Sequence, residues 1–219
     1  MKYEAERKAI VKACQDMNRR GINQGTSGNI SVRVKEGFLL TPSGMAYDEM
    51  KPGDIVVMRP DASHTGKRKP SSEWRFHHAL MTSRSEVGAV VHTHSMFATT
   101  LSCLGLEIPA VHYMIAAAGG ESIRCAPYAT YGTQETADNA VKALQDRNAC
   151  LLANHGMIVV GPDLKKAMWL AVEVETLAAQ YWRALQVGKP NILPKAEVSR
   201  VIDKFKTYGQ AKEPGPACC

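Results

Sequence analysis

The sequence lacks the common signatures of redox, nucleotide-binding and membrane proteins. Its six cysteines include no CxxC pair, and it contains neither a P-loop nor a GxGxxG pattern. Its apolar runs are far too short to span a bilayer. Cys125 and Cys150 lie in apolar stretches, which is typical of reduced cysteines in a core. With 45% hydrophobic and 22% charged residues, the 219-residue chain has the composition of a globular protein that needs no disulfides.

Neither end of the sequence resembles a targeting segment. The first stretch, MKYEAERKAIVKAC, carries acidic residues and a helical pattern, unlike a secretory signal. We therefore expect a cytoplasmic location without membrane association. Residues 210–219, which end in Cys218 and Cys219, resemble a disordered tail. A redox or metal role for this cysteine pair is the less favoured alternative.

The positive net charge does not indicate nucleic-acid binding. The excess of +6 is spread along the chain, and GKRKP at 66–70 is its single basic cluster. Such a cluster is typical of a solvated loop. We therefore expect no nucleic-acid partner, although a positive field would favour an anionic small molecule.

Alternating strand and helix patterns without an internal repeat predict one α/β domain, a sheet covered by helices. Thr133 is a candidate helix cap, and Gly188 a candidate helix end. Helical patterns cover about 3–19, 71–84, 133–147, 163–188 and 196–205. The stretch CLLANHGMIVVG predicts two strands joined by a turn at His155 and Gly156.

Histidines at strand ends suggest a metal site. In the buried stretch VGAVVHTH, His92 and His94 share a face because side chains alternate along a strand. They could be two unrelated histidines, but two further candidate ligands favour metal: His155 at another strand end and Glu73 in the first turn of a helix. Three histidines and a carboxylate suit zinc, or sometimes manganese or cobalt. His77 follows Glu73 by four residues and is a candidate for supporting the site or for simple core packing.

Three small polar stretches could form an anion cradle. They are NQGTSGN at 23–29, TPSG at 41–44, and Ser71 with Ser72 at a predicted helix start. Small residues let backbone N–H groups approach a phosphate, and a helix N-terminus favours negative charge. Each stretch taken alone is as readily an ordinary turn. If Glu73 contacts a metal, an anion at Ser72 would lie only a few ångströms away.

Several long motifs, in order, resemble the class II aldolase and adducin-head family, and most closely its fuculose-phosphate aldolase branch. They are NQGTSGNISVR, LLTPSGMAYDEM, KPSSEWRFH, AVVHTHS, IPAVHYMIAAAGG, CAPYATYGT, LLANHGMI and DKFKTYG. The resemblance covers residues 1–209. It implies a single α/β/α domain with a central, mainly antiparallel sheet, assembled as a homotetramer with active sites between subunits.

The resemblance also implies a ligand set and a phosphate site. Zinc would be held by Glu73, His92, His94 and His155. The phosphate positions would be Thr26, Gly28, Asn29, Ser43, Gly44, Ser71 and Ser72. The expected partner is a phosphorylated sugar.

For the reaction, the resemblance implies reversible cleavage of a ketose 1-phosphate into dihydroxyacetone phosphate and a small aldehyde. Glu73 would move a proton at carbon, Tyr113 would reach into the neighbouring subunit's site, and Tyr208 would lie on a mobile C-terminal segment. Tyr131 and Phe205 would line the aldehyde pocket. Tyr131 stands where fuculose-phosphate aldolase has phenylalanine, which leaves the aldehyde open.

Alternatives follow from the same family. We expect the substrate to be L-fuculose 1-phosphate or a close 5-deoxyketose 1-phosphate, and the alternative is an aldolase for 5-deoxyribulose 1-phosphate or 5-methylthioribulose 1-phosphate. The pathway would accordingly be sugar catabolism or 5-deoxypentose salvage. The L-ribulose-5-phosphate 4-epimerase branch carries aspartate where this chain has Glu73, so glutamate favours the aldolase. Dehydratases and decarboxylases are more distant options. A non-catalytic adducin-like module would lack a complete ligand set.

Overall fold

Helices and strands alternate along the chain in the computed structural model, which describes residues 1–207. The α-helices are α1 (Glu4–Arg19), α2 (Trp74–Ser83), α3 (Met96–Cys103), α4 (Gln134–Ala143), α5 (Leu164–Val187) and α6 (Lys195–Phe205). The strands are β1 (Asn29–Val34), β2 (Gly37–Leu40), β3 (Val56–Met58), β4 (His64–Thr65), β5 (Ala89–Thr93), β6 (Ile108–Pro109), β7 (Ser122–Ala126), β8 (Ala149–Leu152) and β9 (Gly156–Gly161). Short 3₁₀ helices cover Pro52–Asp54 and Tyr113–Ala118.

The strands form one sheet in the order β4-β3-β2-β1-β5-β9-β8-β7-β6. Every neighbouring pair is antiparallel except β7 and β8. The central strand β5 is buried along its whole length, between β1 and β9. The prediction of a central, mainly antiparallel sheet is confirmed.

Helices cover both faces of the sheet. On one face α1, α3, α5 and α6 pack with the side chains of Ala89 and Val91. On the other face α2 and α4 pack with Val90. The alternation along β5 sends neighbouring apolar residues into two separate hydrophobic clusters. The α/β/α architecture expected from the sequence is therefore confirmed.

Most predicted elements are present, with two corrections. Thr133 caps α4, and α5 ends at Gly188, as predicted. The helix was expected to begin at residue 71, but it begins at Trp74. The N–H of Ser71 donates to the carbonyl of Thr41, beside an isolated β-bridge between Pro42 and Pro70, so the chain is still extended at this point. The turn between β8 and β9 spans 153–155.

The left-handed residue of that turn is Asn154, with φ 54°, and not Gly156 as the sequence suggested. Asparagine tolerates this conformation because its short polar side chain interacts locally with the backbone.

Two further expectations concern cysteine and membranes. The thiols of Cys125 and Cys150 are free, and burial raises the pKa of both. No helix within residues 1–207 is long and apolar enough to cross a membrane. The tail at 210–219, with Cys218 and Cys219, lies outside the described residues.

Candidate metal centre

Glu73, His92, His94 and His155 converge, and one ligand atom from each lies within 4.8 Å of the others. His92 belongs to β5 and His94 follows it, so both face the layer of α2. Glu73 immediately precedes α2, and His155 ends the turn before β9. These residues lie far apart in the sequence. The pairing of β5 with β9 brings the end of β5, with His92 and His94, next to the start of β9, with His155.

The four side chains point at one another through their metal-binding atoms. His92 Nε2 lies 3.0 Å from His94 Nε2 and 3.2 Å from Glu73 Oε2. His155 Nε2 lies 3.1 Å from Glu73 Oε1. The three imidazole rings stand nearly perpendicular in pairs, with centroids 4.8 to 4.9 Å apart. This crowding of electron-pair donors is the arrangement that a cation would stabilise.

The hydrogen bonds within the site agree with a bound cation. His92 Nδ1 lies 2.9 Å from the Met157 carbonyl, which can only accept, so Nδ1 carries a proton and, in the neutral ring, Nε2 presents a lone pair. Glu73 Oε1 is buried and lies 3.1 Å from His155 Nε2, with no further hydrogen-bond partner among the described residues. A histidine lone pair beside a buried carboxylate oxygen fits a divalent metal ion.

The charge states also suit metal binding. Burial, followed by the nearby His92 and His155, lowers the pKa of His94 to about 4. Burial alone would raise the pKa of Glu73, but His92 and His155 hold it well below its usual range. At neutral pH the site therefore offers neutral His94 and an ionised Glu73, the forms that bind metal.

Gly156 is required by close packing. A Cβ at this position would lie 2.4 Å from the carbonyl oxygen of Thr93 and 3.0 Å from His94 Cδ2. The absent side chain therefore lets β9 approach the end of β5, where His94 leaves the strand.

A buried hydrogen-bonded chain supports Glu73 from behind. The amide of Asn29 donates to Glu73 Oε2 at 2.9 Å, and its Oδ1 lies 2.5 Å from His77 Nε2. His77 Nδ1 in turn lies 2.7 Å from Ser31 Oγ. His77 is thus both a core residue and linked to the site, through Asn29.

Beside Glu73 and His94 opens a cavity of about 430 Å³. Its wall includes every residue expected in the anion cradle, namely Thr26, Gly28, Asn29, Ser43, Gly44, Ser71 and Ser72. The cradle stretches come from three separate parts of the chain. They share the cavity wall with three of the four metal-site residues, Glu73, His94 and His155. The cavity could therefore accept a ligand that spans an anion site and the metal centre.

The aromatic residues expected at the aldehyde pocket lie in two different places. Tyr131 lines the cavity and is 65% exposed. Tyr128 also lines the cavity and was not predicted, although it belongs to the same CAPYATYGT motif. Phe205, expected beside Tyr131, is not in the cavity wall of this chain. The apolar face of α6 instead packs Phe205 against the core.

The other two predicted site tyrosines are Tyr113 and Tyr208. Tyr113 is 50% exposed on a 3₁₀ helix, where its ring stacks on His112, and it is not in the cavity wall of its own chain. Tyr208 lies outside the described residues.

Comparison with known proteins agrees with the geometry. Residues 8–182 match the family described as "Class II Aldolase and Adducin N-terminal domain". A protein of Rhodospirillum rubrum named 5-methylthioribulose-1-phosphate/5-deoxyribulose-1-phosphate aldolase is 53% identical over 97% of this chain and 96% of its own. The L-fuculose phosphate aldolase of Escherichia coli K12 is 48% identical over 91% of this chain and 94% of its own.

A solved structure titled "L-fuculose 1-phosphate aldolase" superposes with a TM-score of 0.89 at 41% identity, covering 91% of this chain and 95% of that one. The sequence prediction of an aldolase enzyme is thereby confirmed. The chain belongs to the class II aldolase and adducin N-terminal domain family.

Proposed function

We propose that this chain is a zinc-dependent aldolase that reversibly cleaves a ketose 1-phosphate into dihydroxyacetone phosphate and a small aldehyde. The observation that carries the proposal is the position of the Glu73, His92, His94 and His155 cluster beside a cavity lined by the seven cradle residues. A substrate that carries a phosphate near its ketone would reach both. The named activities of the two relatives support this substrate class.

The metal would be held by the three histidine Nε2 atoms and the Glu73 carboxylate. When bound, zinc supplies a Lewis acid that polarises a carbonyl oxygen and so favours electron flow towards it. Zinc suits this ligand set of nitrogen with one carboxylate, and manganese or cobalt are alternatives.

Glu73 moves the proton at carbon. During cleavage, the bond between the two carbons breaks, its electron pair passes towards the ketone oxygen, and the carbon that remains must gain a proton. Glu73 lies at the cavity wall, so its carboxylate would take up a proton from solvent and deliver that proton to the carbon. Tyr113 of a neighbouring subunit takes part at the hydroxyl of the departing aldehyde.

The cradle binds the phosphate and orients the reacting carbons. Gly28 and Gly44 have φ angles of 74° and 61°, a conformation that turns the backbone sharply without a side chain in the way. Ser71 and Ser72 add hydroxyl groups just before α2, whose N-terminus favours negative charge. Remote binding energy of this kind fixes a substrate for reaction.

The favoured substrates are 5-methylthioribulose 1-phosphate and 5-deoxyribulose 1-phosphate, with L-fuculose 1-phosphate as the second candidate. The 53% identical relative is named for the first two. Tyr131 and Tyr128 both line the wall of the cavity that would contact the aldehyde part of the substrate. This assignment also favours 5-deoxypentose salvage over sugar catabolism. Glutamate at position 73 disfavours the epimerase alternative.

A coupled assay tests the proposal. Release of dihydroxyacetone phosphate is followed for the three ketose phosphates with the full-length protein. We expect release from at least one of them and a loss of about 10²- to 10⁴-fold in Glu73→Gln, because general acid–base catalysis contributes that much. The exposed Glu49→Gln variant is the matched control and keeps full activity. Absence of release from all three substrates by zinc-loaded protein would overturn the proposal.

The proposed assembly is a cytoplasmic homotetramer in which Tyr113 completes a neighbour's site. Tyr208, which lies outside the described residues, would close over the site and assist orientation. Light scattering measures the mass of the assembly. Mixing Tyr113→Phe chains with Glu73→Gln chains tests shared sites, because some sites in mixed tetramers combine both native residues. Recovery of activity above that of either variant supports shared sites, and its absence contradicts them.

A further inference from the structure

A line of three buried hydrogen bonds begins at the candidate metal centre and ends in the core. It runs from Glu73 Oε2 to the amide of Asn29, from Asn29 Oδ1 to His77 Nε2, and from His77 Nδ1 to Ser31 Oγ. The distances are 2.9, 2.5 and 2.7 Å. All four residues are buried, and His77 and Ser31 are completely inaccessible.

The donors and acceptors along this line follow from the first contact. A carboxylate oxygen can only accept, so the group of Asn29 that faces Glu73 is its NH₂. Asn29 Oδ1 therefore faces His77, and His77 Nε2 must carry a hydrogen. His77 Nδ1 is then an acceptor and takes the hydrogen of the Ser31 hydroxyl.

The two oxygens of Glu73 are unequal as a result. Each oxygen faces one metal-site histidine, Oε2 at 3.2 Å from His92 Nε2 and Oε1 at 3.1 Å from His155 Nε2. Oε2 also receives the Asn29 hydrogen bond, whereas Oε1 has no comparable protein donor behind it among the described residues. If the Asn29 amide turned over, its oxygen would face Oε2 and repel it. The contact with His77 prevents this, because turning the amide would set two N–H groups against each other.

We propose that His77 is a positioning residue that, through the fixed orientation of Asn29, holds Glu73 with Oε2 anchored to the protein and Oε1 free for the metal or the substrate proton. The link to proton transfer rests on the proposed function, whereas the orientation of Glu73 and its effect on metal binding do not. His77 touches neither metal nor substrate and acts only through Asn29.

Zinc affinity of the full-length protein, measured against a chromophoric chelator, tests the metal part. His77→Leu removes the N–H and is expected to weaken zinc binding by up to about 10-fold, the lower end of the loss seen for direct partners of metal ligands, because His77 acts through Asn29. His77→Gln keeps an N–H near Nε2 and is expected to restore most of the affinity. His78→Leu is the matched control, because His78 lies on the same helix and bonds the carbonyl of Pro60 instead.

Ser31→Ala is a milder second variant in case His77→Leu fails to fold. It removes the hydrogen that fixes the imidazole tautomer, so we expect a smaller loss of zinc affinity in the same direction. Unchanged affinity in folded His77→Leu or Ser31→Ala protein overturns the proposal. Equal weakening in His77→Leu and His77→Gln also overturns it, since loss of packing alone would have that effect.

The tautomer of His77 is tested directly by long-range ¹H–¹⁵N NMR of the metal-free protein. The proposal requires a neutral ring with hydrogen on Nε2. Hydrogen on Nδ1 would overturn it, whatever the metal affinity. If the aldolase assay fails while the tautomer and the zinc results agree, the proposed function falls and the positioning role of His77 stands.

Discussion

His92 illustrates how one hydrogen bond decides what a side chain can do. Its Nδ1 donates to the carbonyl of Met157, which is itself fixed in β9. In its neutral form the ring then presents a lone pair from Nε2 to Glu73 and His94. An imidazole in a strand, with its partner in the next strand, is held far more rigidly than one on a loop.

Replacing one histidine should remove most of the metal. We predict that His94→Ala lowers zinc affinity at least about 100-fold, because a three-histidine site loses a ligand and the remaining donors must accept water. Metal content after dialysis, measured by elemental analysis, checks this. His64→Ala, on the exposed strand β4, is the control and keeps its zinc. Retention of stoichiometric zinc by His94→Ala would show that the cluster is not the binding site.

Residue types could be read from the sequence, but their contacts could not. The HTH and NHG patterns identified His92, His94 and His155, because paired imidazoles at strand ends are unusual. No pattern in the sequence indicated that Asn29 would contact Glu73, since that contact depends on β1 lying beside β5. The place of Phe205 in the aldehyde pocket stays a prediction, because within its own chain Phe205 packs against the core.

At the scale of elements, the site depends on how closely β9 approaches the end of β5. The sequence suggested Gly156 as a turn residue, and the structure assigns it to close packing against Thr93 and His94 instead. Asn154 supplies the turn. A glycine in a sequence can indicate either a left-handed backbone conformation or close packing against a neighbouring strand. The position of that strand decides between the two.

We predict that Gly156→Ala destabilises the protein by about 1 to 3 kcal/mol, the usual cost of forcing an extra methyl group into a packed site. It should also weaken zinc binding, because His94 must move. Denaturant unfolding and zinc titration measure the two effects. Gly53→Ala is the matched control, since a methyl group there meets no atom within 4 Å. Equal stability of the two variants would refute the packing argument.

Helix α3 is capped by a residue from another helix. The carboxylate of Glu175, in α5, accepts the N–H groups of Phe97 and Ala98 at 2.8 and 2.9 Å. Negative charge at this end is favoured by the helix dipole.

We predict that Glu175→Ala lowers stability by about 1 kcal/mol, as losses of helix caps do. Thermal unfolding of this variant is compared with that of Glu173→Ala, which lies two residues away on α5. A smaller loss in Glu175→Ala than in Glu173→Ala would contradict the capping role.

Elements with strong periodicity were predictable, and short ones were not. The helical patterns of α1 and α5 matched the structure closely because each has a long amphipathic repeat. Helix α4 was predicted to extend to residue 147, but it ends at Ala143. Helix α3 has only eight residues and several β-branched threonines, so its local preference is weak. Strand β6 has two residues and exists only because β7 pairs with it.

For the whole molecule, the central sheet brings distant parts of the chain to one end of β5. The pairing of β1 and β9 with β5 assembles the metal-site histidines and the first residues of the cradle. Helix α2 packs on this face of the sheet, and Glu73, the residue before α2, completes the site. The order of the strands, and so the convergence of the site, depends on tertiary packing that no local pattern encodes.

Burial of the histidines makes stability depend on pH. Burial lowers the pKa of His77 to about 3 and that of His94 to about 4, below the usual value near 6.5. Between these values the unfolded chain binds protons that the folded protein does not, so stability falls as pH drops from about 6.5 towards 3.

We predict that the metal-free protein loses up to about 1.4 kcal/mol per pH unit through His77 in that range. Unfolding free energies between pH 7 and pH 4 measure the slope. His77→Gln should reduce the slope, and His64→Gln, which replaces an exposed histidine, should not. A slope unchanged by His77→Gln would contradict a neutral buried His77.

The central claim, a metal-dependent aldolase centred on Glu73 and the three histidines, is tested most directly by reconstitution. Zinc is added stepwise to metal-free protein while release of dihydroxyacetone phosphate from the best of the three ketose phosphates is measured. The account predicts no release without metal, a rise that levels off at one zinc per chain, and loss of release on adding EDTA. Full release by metal-free protein, or none at one zinc per chain, would contradict it.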